Sequence, residues 1–216
     1  MADLRERLSA AHLYLVCDAE PDAFLREVIE GGVDIVQLRI KEPASDDRLI
    51  AVAERFARCC ADYGALFILN DRPDLVQRVS ADGVHVGQDD MPVAQARELV
   101  GPDRLIGLST HSPDQVDDAA RLDVDYIGVG PVHATPTKPG RPAVGLDLVR
   151  YAAARTGVPF FAIGGVDPSN VGAVAGAGAR RVAVVRALTR AAEPGRVAQE
   201  LRSAVAGERR ERVGAA

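Results

Sequence analysis

Short runs of β-branched and aliphatic residues alternate along the chain with longer, Ala-rich segments whose apolar positions recur at helical spacing. The strand-like runs are LYLVCD from Leu13, IVQLRI from Ile35, LFILN from Leu66 and GVHVG from Gly83. They continue with LIGLS from Leu105, YIGVG from Tyr126, FFAIG from Phe160 and RVAVVRA from Arg181. Between the second and third lies DDRLIAVAERFARCCADYG, which predicts a long amphipathic helix. Eight strand–helix units without a break in composition predict an α/β fold, a parallel sheet covered by helices. Eight such units close into a (β/α)8 TIM barrel, expected here as one domain over 1–216 with flexible ends at about 1–10 and 208–216. The alternative is an open doubly wound sheet. It would carry a glycine-rich turn after its first strand, and LYLVCDAEPDA has none.

A barrel places its chemistry where strands end, so the polar residues there are the candidates. In the second strand Val36, Leu38 and Ile40 share one face while Gln37, Arg39 and Lys41 share the other. Turned inward, that second face sets an amide and two cations in the mouth, where charges need anionic company. Asn70 and Asp71 close the third strand, although such a pair also simply starts a turn. Asp89 and Asp90 follow the fourth, just before Pro92 in the first turn of a helix, so one of them also suits a helix cap. Asp71 and Asp90 at the ends of consecutive strands suit one hard cation, because magnesium takes one or two carboxylates and completes its shell with water and phosphate oxygens. No His/Cys cluster offers zinc a site.

Ser109 ends the fifth strand. After the seventh comes AIGGVDPSN, in which Gly164 and Gly165 allow close backbone approach. Asp167-Pro168 predicts an N-cap and first helical position, an arrangement that turns backbone N–H groups toward a phosphate. Val185 and Arg186 follow the eighth strand, the other place where this architecture holds phosphates. Between the sixth and seventh strands, GPVHATPTKPGR has no periodicity and three prolines, and so reads as a long loop. Thr135, Thr137 and Lys138 favour a lid over an idle excursion. The histidines His12, His85, His111 and His133 are scattered. His85 alternates with apolar residues and reads as a core or supporting group, which leaves His133 as the one to test for catalysis.

Bulk properties narrow the function classes. The formal charge of -5 argues against general nucleic-acid binding. No apolar run is long enough for a membrane helix. The start MADLRERLSA lacks the apolar region of a secretory signal. Cys17, Cys59 and Cys60 form neither a metal spacing nor a disulfide framework, as expected of reduced thiols in a cytoplasmic protein.

Taken in order, QLRIK, LNDRPDL, DGVHVGQDDMP, GLSTHS, YIGVGPVHATPTKPG and FAIGGVDPSN resemble the thiamine-phosphate synthase family, from about Leu13 to the helix after Leu188. The resemblance implies a (β/α)8 barrel that joins hydroxymethylpyrimidine diphosphate to a thiazole phosphate and releases pyrophosphate, with one Mg2+ ion bound. It implies that Gln37 contacts the pyrimidine, that Arg39, Lys41, Asn70 and Lys138 hold the diphosphate, and that Asp71 and Asp90 bind the metal. Ser109 would sit beside the reacting centre, while Thr135, Thr137, Gly165 and the backbone near Val185 would take the thiazole and its phosphate. Arg39, Lys138 and Ser109 are thus the expected catalytic residues. Where well-known members carry Ser after the Val185 position, this chain has Arg186, a cation suited to phosphate or to a carboxylate.

The implied chemistry expels diphosphate from an electron-rich aminopyrimidine and lets the thiazole nitrogen capture the resulting cation. Such a step asks for leaving-group stabilisation and exclusion of water rather than a strong base. Implied partners are small phosphorylated substrates and a second copy in a homodimer, with neither nucleic acid nor membrane. Two alternatives share the barrel. A thiazole tautomerase would need the phosphate turn and a base such as His133 or His111, but not the QLRIK cations or the acid pair. A non-catalytic phosphate-binding barrel would keep GGVDP and have no use for a metal pair.

Overall fold

Parallel strands cannot be joined by tight hairpins, so each strand of this chain must be followed by a crossover that returns to the same end. The computed structural model, which describes residues 3–40, 45–134 and 142–207, has that architecture. Its strands are β1 Leu13–Cys17, β2 Ile35–Leu38, β3 Leu66–Asn70, β4 Gly83–Val86, β5 Leu105–Thr110, β6 Tyr126–Val129, β7 Phe160–Ile163 and β8 Val182–Val184. They pair in parallel in sequence order, and β8 pairs back onto β1 to close the expected (β/α)8 barrel. Around it lie α1 Leu4–Ala10, α2 Asp22–Glu30, α3 Asp46–Tyr63, α4 Val93–Val100 and α5 Pro113–Ala119. The ring continues with α6 Gly145–Arg155, α7 Val171–Gly176, α8 Arg186–Thr189 and α9 Pro194–Ala206.

The two-residue period of each strand sorts its side chains into two cores. Val36, Leu38, Phe67, Leu69, Val84 and Ile106 point outward into the layer between barrel and helices. Tyr14, Ile35, Leu66, Ile68, Leu105, Tyr126 and Phe161 point inward and fill the tube. Helix α3 shows how the outer layer is built. The Ser45 hydroxyl accepts the Arg48 N–H at its start, and Gly64 ends it at φ 82°, a left-handed conformation that glycine adopts without strain. Its inner face buries Ile50, Ala53, Phe56 and Cys60, with the Phe56 ring 6.0 Å from that of Phe67 on β3.

Four expectations are corrected. Leu4–Ala10 is helix rather than a flexible end: Leu8 is buried in the tube's core, and Arg5 and Arg7 bond to the Pro102 and Gly64 carbonyls. No α-helix joins β3 to β4; a 3-10 turn at Pro73–Leu75 does, because Val76 and Val79 cover the barrel without a full helix. Strand β8 stops at Val184, since Val185 bends away at φ -122°, ψ -85° and α8 starts at Arg186. Helix α7 begins at Val171 instead of Pro168. The expected flexible end at 208–216 lies outside the described residues. Among the described residues, no helix is long and apolar enough to cross a membrane.

The amino-terminal end of the barrel is held by acids that precede β2, β4 and β6. Asp34 accepts the His12 and Leu13 N–H groups, Asp82 accepts that of Phe67 at 2.8 Å, and Asp125 accepts that of Ile106. Asp125 also pairs with Arg5 and Arg97. Polar side chains at this end maintain the fold, which leaves the opposite end for ligands.

Candidate active site

At the carboxyl ends of the strands a cavity of about 480 Å³ opens. Strand alternation delivers Gln37 and Arg39 into its wall, as expected, and Asn70 and Ser109 join them from β3 and β5. Gly165 after β7 and Val185 and Arg186 after β8 complete the opposite side. Lys41, Thr135, Thr137 and Lys138, together with the body of the expected lid, lie outside the described residues.

Gln37 is only 3 % exposed, so its amide must be satisfied within the protein. Its Nε2 donates to Asn70 Oδ1 at 2.7 Å, and its Oε1 accepts the Tyr14 hydroxyl at 2.9 Å. Tyr14 meets the Tyr126 hydroxyl at 2.9 Å, and Tyr126 meets His85 Nδ1 at 3.2 Å. His85 Nε2 then lies 2.9 Å from Ser109 Oγ. Burial pushes both phenols above their ordinary range, so both remain protonated. Gln88 holds the same strand end by donating to the Ser109 carbonyl at 2.6 Å.

The acid pair occupies the rim. Asp71 and Asp90 are exposed and neither lines the cavity wall. Asp71 sits in left-handed backbone (φ 58°) and accepts the Asn70 side-chain amide. Asp90 caps no helix: its Oδ2 accepts the Gly87 N–H at 2.9 Å, and α4 starts behind Pro92 without a side-chain cap. Among the described residues, no group of three or more His, Cys, Asp or Glu could hold a metal. Two exposed carboxylates at the ends of neighbouring strands nevertheless fit magnesium, a hard ion that draws its other oxygens from water and phosphate.

Not every cation at this end is free to meet a ligand. Arg72, beside Asp71, forks onto Asp46 at 2.7 and 3.2 Å and onto Asp74 at 2.9 and 2.7 Å. These bonds hold both carboxyls below the ordinary carboxylate range. The clasp ties the β3 turn to the start of α3.

On the far side, Gly164 (φ 105°) and Gly165 (φ 65°) take left-handed conformations and pass close under the strand β6 exit. A Cβ on Gly164 would lie 2.5 Å from Pro131 Cα, and one on Gly165 would lie 2.7 Å from His133 Cβ. Asp167 caps a turn here rather than a helix: its Oδ1 accepts the Ser169 N–H, while Asn170 accepts the Asp167 N–H and donates to the Gly165 carbonyl. His133 Nε2 is buried without a hydrogen-bond partner among the described residues, and His133 is not part of the cavity wall. His111 does line the wall, with Nδ1 2.5 Å from the Gly130 carbonyl.

Tyr14, Tyr126 and the His85–Ser109 contact were not singled out from sequence as site residues. The available signal was weak: Tyr14 and Tyr126 are inward-facing positions with a polar tip inside otherwise apolar strands. Arg39 on one wall and Arg186 beside the glycine turn on the other suit anionic groups, and the Gln37 and Asn70 amides with the Ser109 hydroxyl suit a small polar ring.

The family model described as thiamine monophosphate synthase matches residues 13–188. A thiamine-phosphate synthase of Gloeobacter violaceus is 51 % identical over 198 residues, 90 % of this chain and 57 % of the relative. One of Mycobacterium bovis is 48 % identical over 92 % of this chain and 96 % of its own length. This chain thus spans a little over half of the first relative and nearly all of the second. Among solved structures, the thiamine phosphate pyrophosphorylase of Pyrococcus furiosus superposes with a TM-score of 0.83 at 32 % identity, covering 94 % of this chain and 98 % of that one.

Proposed function

This chain belongs to the thiamine monophosphate synthase family, and from that membership we propose that it is a transferase that makes thiamine phosphate. Its substrates are 4-amino-2-methyl-5-hydroxymethylpyrimidine diphosphate and 4-methyl-5-(2-hydroxyethyl)thiazole phosphate, and pyrophosphate is released. The observation that carries this reading is the meeting of Gln37, Arg39, Asn70 and Ser109 in one cavity with the Gly165 turn and Arg186.

Gln37 and Ser109 bind the pyrimidine edge, and Arg39 and Asn70 receive the diphosphate. Arg186 and the backbone at Gly165 and Val185 receive the thiazole phosphate, placing the ring nitrogen near the reacting carbon. The bond from the pyrimidine methylene carbon to the diphosphate oxygen breaks with both electrons going to oxygen. The thiazole nitrogen lone pair then forms the new carbon–nitrogen bond. Arg39 favours the departing anion more than the ester it leaves, which is what accelerates the step. Apolar wall residues Val16, Ile163 and Ala183 keep water from the carbon cation. Asp71 and Asp90 would hold a magnesium ion, which would supply positive charge to the diphosphate. Lys41, Thr135, Thr137 and Lys138 join the substrate-binding set on the family resemblance alone.

The test is direct. Purified protein with both substrates and magnesium is expected to yield thiamine phosphate and pyrophosphate in equal amounts, and to yield neither when one substrate is omitted. Absence of product while the melting curve remains cooperative would overturn the reading.

A further inference from the structure

The reaction as described does not touch Tyr14 or Tyr126, yet both are wholly buried and sit at the centre of a continuous run of hydrogen bonds from Asp71 to Ser109. Counting donors fixes the direction of that run. A carboxylate accepts and does not donate, so Asn70 offers Nδ2 to Asp71 and turns Oδ1 toward Gln37. Gln37 answers with Nε2, which leaves Oε1 for the Tyr14 hydroxyl.

A phenol has one proton. Tyr14 gives its own to Gln37 and must accept from Tyr126, 2.9 Å away. The Tyr126 proton is thereby committed, and toward His85 Nδ1, at 3.2 Å, Tyr126 accepts. In a neutral His85 the ring proton then belongs on Nδ1, and Nε2 accepts the Ser109 hydroxyl across 2.9 Å.

The packing is arranged for this contact. A Cβ on Gly107 would lie 2.1 Å from Tyr126 Cζ and 2.4 Å from its hydroxyl, so β5 lacks a side chain where the phenol rests. Phe161 meets both tyrosine rings edge-on, at 5.2 and 5.7 Å between centroids, and holds them from the side.

We propose that Tyr14 and Tyr126 are positioning residues that carry the hydrogen-bond order set at Asp71 across the barrel, hold His85 as its Nδ1–H tautomer, and leave Ser109 Oγ as an acceptor toward the substrate. An acceptor at Ser109 suits a donor on the ligand, such as the exocyclic amine of an aminopyrimidine. The inference rests on the proposed function only for which reaction is assayed; the tautomer itself is measured without substrate.

The experiment uses the intact protein with 15N-labelled histidine, the His85 signals being assigned by comparison with His85→Gln. Wild type is expected to show a protonated Nδ1 and a bare Nε2. Tyr126→Phe keeps the ring and removes the link, so His85 is expected to become a mixture of tautomers. Its kcat is expected to fall about tenfold, with both KM values within about twofold. Tyr14→Phe frees the Gln37 amide and is expected to act mainly as a several-fold rise in KM for the pyrimidine substrate. An Nε2–H tautomer in wild type would overturn the proposal, as would wild-type histidine signals and kinetics in both variants. If Tyr126→Phe does not fold, the wild-type tautomer and Tyr14→Phe still decide. If wild type makes no thiamine phosphate, the functional reading fails while the tautomer measurement stands.

Discussion

Asp82 offers a test of how the closed end of the barrel is held. Its Oδ2 accepts the Phe67 N–H at 2.8 Å and its own N–H donates to the Phe67 carbonyl at 2.8 Å, so β3 and the start of β4 are clasped reciprocally. Phe67 is 1 % exposed, and with Asp82→Ala its N–H would lose that acceptor where water does not easily replace it. Leaving a buried donor unmade costs about 1–3 kcal/mol. The same substitution removes a carboxyl whose ionised form is disfavoured by burial, the main cause of its raised pKa. That relief places the net cost near the lower end. For a domain of this size each kcal/mol lowers Tm by roughly 2–4 °C.

Asp82→Asn separates the two effects, because an amide oxygen still accepts from Phe67 while the charge is gone. It is expected to match wild type at neutral pH or exceed it. A folded-state pKa raised above the ordinary 3.8 means that the folded chain holds this proton more tightly than the unfolded chain. The contribution is therefore complete below the unfolded value and is lost as pH rises through the folded one. Thermal melts from pH 4 to 7 should show wild type losing ground to Asp82→Asn with rising pH. A loss in Asp82→Asn equal to that in Asp82→Ala at pH 7 would refute the argument, since the negative charge would then be what stabilises.

Arg39→Ala is expected to lower kcat/KM by at least about a hundredfold, with the melting curve unchanged, as for removal of a group that stabilises a developing anion. Asp71→Asn combined with Asp90→Asn is expected to abolish both magnesium-dependent turnover and magnesium binding measured by calorimetry in the presence of pyrophosphate. Arg72→Leu removes the clasp on Asp46 and Asp74, whose carboxyls it holds below the ordinary 3.8. Depressed carboxyl pKa values stabilise above the unfolded value and lose that effect as pH falls through the folded one. The gap between wild type and Arg72→Leu in urea denaturation is therefore expected to narrow below about pH 4.

The strands were legible because β-branched runs and inward–outward alternation are local properties. The same alternation brought Gln37 and Arg39 to the cavity, and strand ends brought Asn70 and Ser109. What the sequence hid depends on closure of the tube. Tyr14 and Tyr126 are 112 positions apart and touch only because the barrel is closed. His85 read as a core or supporting group; it lines the cavity, and its link to Ser109 needed neighbouring strands in register. The acids before β2, β4 and β6 look like ordinary turn residues until the adjacent strand's N–H groups are seen beside them. The ends of β8 and α7 were misplaced for another reason. Backbone bends at Val185 and around Asp167 leave the apolar pattern intact while changing its geometry.

Helix α1 has a consequence for traffic through the molecule. Its Leu8 and the adjoining Ala11 plug the tube from below, and Arg5, Arg7 and the Ser9 carbonyl fasten it to residues before β5, β3 and β8. Among the described residues this end of the tube is closed, which leaves the proposed reactants and products to share the opposite mouth.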